Sequence, residues 1–293
     1  MKRAADHLAE LARSLPVHRV YADLDGTLLG PGGSLFAHPD GATEAAAGAL
    51  VAMARAGIGL VLVSGRTRQQ VGEVARVVGA AAYVAEIGGL IVHRQDGQEV
   101  ETRNPGAYSG SGTPFDAMMR SGAAGYLLTE FAGRLEPHAP WSNLPRECSV
   151  LLRGLVAVDE VRAALVEGGY GWLDLLDNGV IAAGPERFPA LDGPEVRVYH
   201  LAPRGVGKAP AIAIDRDRLG LDPTECIVVG DAPSDVAAAG EVGAVFVVAN
   251  GGAAVADLPV PDNVYLLERS HGLGFADAVE AFAVHPAAPP SRP

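Results

Sequence analysis

Val20-Tyr21-Ala22-Asp23-Leu24-Asp25-Gly26-Thr27-Leu28-Leu29 is a short apolar run that ends in two carboxylates one residue apart, followed by a glycine. Alternation along an extended strand end sends Asp23 and Asp25 to the same side, and Gly26 lets the backbone turn so that both can face a common ligand. Two acids this close repel unless a cation or a shared proton lies between them, so a purely structural role would be costly. Taken alone, the stretch has a competing reading as a surface turn, since Asp-Gly pairs form turns readily.

The flanking sequence favours the strand. Residues 17–23 are followed by the glycine- and proline-rich loop Gly30-Pro31-Gly32-Gly33, and then by an alanine-rich helix expected over 42–57. Residues 58–63 are apolar throughout, as in a strand covered on both faces, and deliver Ser64-Gly65-Arg66-Thr67. Thr67 is placed to cap a helix whose Val71, Val74, Ala75 and Val78 share one face, and residues 82–85 form a third strand. This rhythm predicts an α/β fold with a doubly wound parallel sheet, in which ligands sit beyond the carboxyl ends of the strands. A packing helix over 2–15 precedes it.

From about residue 90 the rhythm breaks. A hairpin turning at Asp96-Gly97, a helical stretch over 115–135, a strand at 149–152, a helix over 159–167, a hairpin-like pair over 172–183 and a strand at 196–201 are expected. The doubly wound pattern resumes with a helix over 206–219 and strands at 226–229, 245–248 and 264–267. The expected organisation is thus a discontinuous core (1–90 and 201–284), an inserted α+β unit (91–200) and a disordered tail (285–293).

The bulk composition sets limits. The chain has 293 residues, enough to bury a core without disulfides, and its net charge of −12 argues against general attraction to nucleic acid or an anionic membrane. Cys148 and Cys226 match no zinc or redox spacing and suit a reducing compartment. No apolar run reaches membrane length and no export signal follows Lys2-Arg3, so a cytoplasmic location is expected.

Four chain segments then compete for one explanation: Asp23/Asp25, Ser64-Gly65, Lys208, and Asp231 with Asp235. Each has a plainer alternative, as a helix cap, a solvated lysine or a turn. Together they suit a cation site beside a phosphate site, because Mg²⁺ needs only two or three carboxylates plus a substrate phosphate oxygen. Gly205-Val206-Gly207-Lys208 fails as a P-loop, having Ala202 and Ala209 where Gly and Ser or Thr are needed. Gly272-Leu273-Gly274 fails as a dinucleotide fingerprint at Asp277.

In this order the four segments resemble the four motifs of the haloacid dehalogenase superfamily of phosphatases: Asp23-Leu24-Asp25-Gly26-Thr27, Ser64, Lys208, and Gly230-Asp231-Ala232-Pro233-Ser234-Asp235. Asp23 and Ser64 lie 41 positions apart (64 − 23), Ser64 and Lys208 144 apart (208 − 64). The insertion therefore falls between the second and third motifs, which resembles the C2-type cap of Cof-like, sucrose-phosphate, trehalose-phosphate and mannosyl-3-phosphoglycerate phosphatases. Relatives often read Glu-Asn-Gly where this chain has Glu86-Ile87-Gly88, and Asn-Asp where it has Ser234-Asp235.

The resemblance implies an Mg²⁺-dependent phosphohydrolase acting on a small phosphorylated metabolite, most naturally a sugar or sugar-like phosphate. It implies Asp23 as nucleophile and Asp25 as general acid and base. Mg²⁺ would be held by Asp23, the Asp25 carbonyl, Asp231 and Asp235, and phosphate by Leu24, Thr27, Ser64, Gly65 and Lys208. Arg66, Arg153, Asn178, His200, Trp141 and Trp172 are candidate leaving-group contacts, and Asn250 resembles an Asn of the Cof-like group. A phosphotransferase or phosphomutase using the same aspartyl-phosphate, and a noncatalytic phosphosugar-binding protein, are the alternatives. The sequence leaves monomer or homodimer open.

Overall fold

A computed structural model of the chain describes residues 1–284 except 96, 182–187, 189, 192 and 194. The tail expected at 285–293, the Asp96 half of the expected turn and the end of the 172–183 pair lie outside the described residues.

Among the described residues, nine strands form one sheet in the order Lys2–Arg3, Val264–Leu266, Ala244–Val247, Cys226–Gly230, Arg19–Asp23, Gly59–Val63, Ala82–Ala85, Leu90–Gln95, Gln98–Arg103. The first seven run parallel; the last two add an antiparallel hairpin at the edge. Arg19–Asp23 is the central strand, and the chain leaves it first to one side and later returns on the other. A crevice opens at such a reversal of strand order, beyond the carboxyl ends.

Side-chain alternation explains why these strands are apolar throughout. Val20, Ala22, Leu60, Leu62, Ile227 and Val229 pack under the helices Ala45–Ala56, Arg68–Val78 and His271–Val284 on one face. Tyr21, Val61, Val63, Val228 and Val245 face the other way, toward the helix Lys208–Leu219. Both faces are covered, so neither set of positions tolerates polarity.

A second, antiparallel sheet is built from Leu173–Ile181, Val196–Pro203, Val150–Gly154 and Leu135–Pro137, in that order. One face buries Leu152, Leu173, Leu175, Tyr199 and Leu201 against the helices Pro114–Ser121, Ala123–Glu130 and Val158–Glu167. On the other face, Leu176 and Ala202 pack on Ile87 and Val206. The fold class is therefore as expected: a doubly wound core with an inserted α+β unit.

Several local expectations are corrected. The hairpin at 90–103 extends the large sheet instead of opening the insertion, because Ala82–Ala85 offers it a free edge and Ile91 and Val92 become fully buried there. The insertion's own sheet begins only at Leu135 and runs through Pro203. The helical stretch at 115–135 is two helices broken at Gly122 (φ +79°), where a left-handed turn ends the first. The described part of the expected pair is one strand, Leu173–Ile181, for Asp177-Asn178-Gly179 forms a bulge, not a turn. The Asp177 carboxylate accepts from the Gly179 amide at 2.9 Å and the register shifts there. The amino-terminal helix shortens to Leu8–Ser14, since Lys2–Arg3 pairs with Tyr265 and Leu266.

Candidate active site

Asp23 is the last residue of the central strand, opposite Val63 in register, and Ala22 lies opposite Val229. Asp23, Ser64 and Asp231 therefore emerge on one rim. Lys208 opens the helix Lys208–Leu219 at that rim, and its ammonium donates to Asp23 Oδ1 at 2.6 Å and Asp235 Oδ1 at 2.7 Å. The other Asp235 oxygen accepts from the amides of Asp231 (3.2 Å) and Ala232 (3.0 Å). Thr27 is fully buried and donates to Asp231 Oδ1 at 3.3 Å. Side chains from the first, third and fourth motifs are thus in direct contact.

Two glycines make this convergence possible. Gly26 has φ +91°, and a Cβ there would lie 2.2 Å from Asp231 Oδ2. A Cβ on Gly230 would lie 2.2 Å from Asp235 Cγ. The Gly26 carbonyl accepts from Asn250 Nδ2 at 2.8 Å and lies 2.9 Å from His271 Nδ1. Asn250 is thereby placed on the turn that follows Asp25, away from the inserted unit.

The electrostatics are unbalanced. Asp23, Asp231 and Asp235 are three carboxylates against one ammonium. Burial, together with Asp235 and Asp231, holds the Asp23 carboxyl well above its ordinary range, against the pull of Lys208. Burial and Asp235 push Asp231 up to about 7. Burial works against the Lys208 ammonium, but Asp23 and Asp235 more than offset it and keep the group charged. One lysine cannot neutralise three acids, so without a cation the cluster relieves its repulsion by favouring protons on Asp23 and Asp231.

Asp25 points outward, with 55% of its side chain exposed, and pairs with Arg66, whose Nε donates to Oδ2 at 2.8 Å. Ser64 is buried and its Oγ accepts from the Arg66 amide at 3.2 Å. Thr67 caps the next helix in a reciprocal box with Gln70. Leu24 is buried, and its carbonyl accepts from Leu29.

The candidate leaving-group contacts separate. His200 and Asn178 reach the second motif: a Cβ on Gly65 would lie 2.6 Å from His200 Nε2 and 2.7 Å from Asn178 Nδ2. Arg153 spends its donors within the inserted unit, on Glu136 and the Ala139 carbonyl, with its guanidinium over the Phe188 ring. Trp172 packs on Tyr108, and Trp141 is half exposed.

Residues the motifs did not reveal also shape the site. Asp215 is fully buried two helical turns after Lys208 and accepts from Arg19 through both oxygens (2.9 and 2.8 Å) and from the Tyr21 hydroxyl (2.7 Å), with His93 Nε2 at 2.7 Å. Arg19, Tyr21 and Asp23 share one side of the strand, as Lys208 and Asp215 share one side of the helix. Two helical turns span roughly 10 Å and four strand steps roughly 13 Å, so both ends of the helix–strand contact are pinned. The spacing was visible in the sequence; the pairing of the two elements was not. Glu86 and Ile87 hold positive φ (49° and 57°), a strain of about 1–3 kcal/mol each.

Residues 205–265, which hold Lys208, Asp231 and Asp235, match a family model described as HAD-hydrolase-like. No curated protein matches the chain. Among solved structures, a sucrose-phosphatase from Synechocystis sp. PCC6803, described in complex with sucrose and phosphate, has a TM-score of 0.62 at 16% identity, covering 92% of this chain and 98% of its own. A haloacid dehalogenase-like hydrolase from Bacteroides thetaiotaomicron has 0.59 at 16% identity, covering 90% and 98%. BT1666 from the same organism, described among phosphatases of the haloalkanoate (HAD) enzyme superfamily, has 0.59 at 18% identity, covering 92% and 97%. The architecture is a doubly wound α/β core with an antiparallel inserted unit. More particularly, it is the fold of the haloacid dehalogenase-like hydrolases, and the resemblance to that superfamily is borne out by this fold and by the family model over residues 205–265.

Proposed function

We propose that the protein is a phosphoric monoester hydrolase that removes phosphate from a small phosphorylated metabolite of the sugar or sugar-like class in the cytoplasm. The observation that carries this reading is the convergence of Asp23, Lys208, Asp231 and Asp235 from separate segments at the carboxyl rim, with Asp25 exposed beside them. The sugar class is supported by the likeness to a phosphatase described with sucrose and phosphate.

The donor set fits Mg²⁺. Among the described residues no three His, Cys, Asp or Glu side chains close into a metal cage. Mg²⁺ does not require one, since it takes one or two carboxylates and completes its shell with waters and substrate oxygens. Asp23, the Asp25 carbonyl and Asp231 would hold it, with Asp235 orienting Lys208 behind them, and the excess negative charge is what a divalent cation offsets. When bound, Mg²⁺ supplies charge neutralisation between the anionic nucleophile and the anionic substrate.

Asp23 attacks phosphorus, its carboxylate oxygen forming a bond as the bond to the leaving oxygen breaks. Asp25 must part from Arg66 and take up a proton from solvent, which it gives to that oxygen as the ester bond breaks; it then regains a proton from the water whose oxygen bonds to phosphorus as the aspartyl–phosphate bond breaks. Lys208 fixes the attacking carboxylate. Ser64, the Gly65 amide, Thr27 and Leu24 surround the phosphoryl oxygens, where preorganised donors contribute about 2.7–4 kcal/mol each.

The test is phosphate release from a panel of phosphorylated metabolites with and without Mg²⁺. Release that requires Mg²⁺ and is greatest for a sugar phosphate is expected; binding without release from any member or from an aryl phosphate would replace the enzyme by a phosphosugar-binding protein.

A further inference from the structure

Gly65 lies between the two structural units, and its peptide is gripped from the inserted side. Its carbonyl accepts from Arg146 Nη1 at 3.4 Å. A Cβ on Gly65 would lie 2.6 Å from His200 Nε2 and 2.7 Å from Asn178 Nδ2, so a larger residue would have to displace both side chains. No φ demands glycine here; the approach of the inserted unit does.

The residues making this grip form one network centred on the Ser149 hydroxyl. The Ser149 hydroxyl donates to Glu86 Oε2 (3.2 Å), receives Arg146 Nη1 (3.3 Å) and meets His200 Nδ1 at 3.0 Å. A hydroxyl has one proton to give and two lone pairs. With its own proton directed to Glu86 Oε2, Ser149 must accept from His200, which fixes the imidazole proton on Nδ1 and turns a bare Nε2 toward Gly65. His200 is fully buried, and its Nε2 has no hydrogen-bond partner among the described residues. Burial, then Arg146, His138 and Lys208, hold the imidazole neutral.

Glu86 belongs to the core and organises the rest. Its carboxylate accepts from the amides of Glu147 (2.8 Å), Cys148 (2.9 Å) and Ser149 (2.9 Å), at the entry to the strand Val150–Gly154 of the inserted unit. Three amides and a hydroxyl on one buried carboxylate explain why the chain keeps Glu86 and Ile87 in a strained turn.

We propose that the inserted unit completes the phosphate-binding turn: docked through Glu86, it fixes the Gly65 peptide by the Arg146 hydrogen bond and by the packing of His200, which Ser149 orients, against the Gly65 Cα. Arg146, Ser149 and His200 are positioning residues, and the reach of the Gly65 amide to a phosphoryl oxygen depends on them. The role of that amide rests on the phosphatase reading above. Phosphate affinity and the seating of the inserted unit are therefore coupled, even for a substrate too small to touch that unit.

The test uses the full chain with His200→Ala and, because a buried truncation can unfold, Ser149→Ala as a second variant. Three quantities are read: thermal midpoint, inhibition of aryl phosphate turnover by inorganic phosphate, and amide hydrogen exchange of residues 64–67. Both variants are expected to weaken phosphate inhibition and lower kcat by about tenfold, the scale of one lost hydrogen bond, and to speed exchange at 65–67. A merely structural role would lower the thermal midpoint and leave phosphate affinity unchanged, which would overturn the proposal. Unchanged exchange at 65–67 in a folded variant would also overturn it. If wild-type protein turns over no phosphate ester, the phosphatase reading fails, while the exchange measurement still decides whether the grip exists.

Discussion

Replacing Asp215 by Asn keeps the shape of the side chain and removes its charge from a site with no solvent access. Burial alone would raise this carboxyl, but the close contact of His93, the charge and hydrogen bonds of Arg19, and the hydrogen bond from Tyr21 lower it to about 2 from an ordinary 3.8. A shift of that size corresponds to about 2.5 kcal/mol. The sign follows from proton counting: below the unfolded-state value the unfolded chain binds a proton that the folded chain refuses. The contribution is therefore complete above about pH 5, about half remains at pH 3, and it vanishes below about 2. Because Arg19 is left buried without its counter-charge, the loss at neutral pH should reach roughly 3–5 kcal/mol. Urea denaturation of wild type and Asp215→Asn from pH 7 down to pH 3 reads this directly. A difference under 1 kcal/mol at pH 7, or one that stays constant to pH 3, would refute the reasoning. Since Asp215 pins the helix that carries Lys208, the folded variant should also lose turnover, by less than a Lys208 substitution does.

Two further outcomes follow from the carboxylate cluster. Gly26→Ala forces a left-handed backbone on alanine and sets a Cβ against Asp231, so calorimetric Mg²⁺ affinity should drop by at least tenfold while the thermal midpoint falls only slightly. Mg²⁺ must displace the proton on Asp231, whose value lies near 7, and the proton that the raised Asp23 carboxyl favours; apparent Mg²⁺ affinity should rise with pH, by up to tenfold per pH unit for each proton displaced. A flat profile from pH 5.5 to 8.5 would place the cation elsewhere.

The four motifs were legible because each lies at the end of an apolar strand or the start of a helix, where local sequence determines position. Asp23 after Val20-Tyr21-Ala22 and Asp231 after Ile227-Val228-Val229-Gly230 needed no tertiary knowledge to be placed on one rim. What escaped depends on partners distant in sequence. Glu86 looked like part of a motif variant, yet it serves residues 147–149; Arg146 carried no signal at all. Residues 90–103 read correctly as a hairpin, but the sheet it joins is fixed by the free edge of Ala82–Ala85. Asp177-Asn178-Gly179 carries a turn signal that pairing with Val196–Pro203 converts into a bulge. His200 and Asn178, among the least specific candidates, meet at Gly65, whereas Arg153 is occupied by Glu136.

The central claim is that Asp23 becomes covalently phosphorylated. Turnover of the best substrate with Mg²⁺, quenched in acid and mapped by peptide mass spectrometry, should show one phosphoryl group on the peptide containing Asp23 and none in Asp23→Asn, which should release no phosphate. Phosphate release by Asp23→Asn at a wild-type rate, or turnover with no phosphoryl group ever trapped on that peptide, would contradict it.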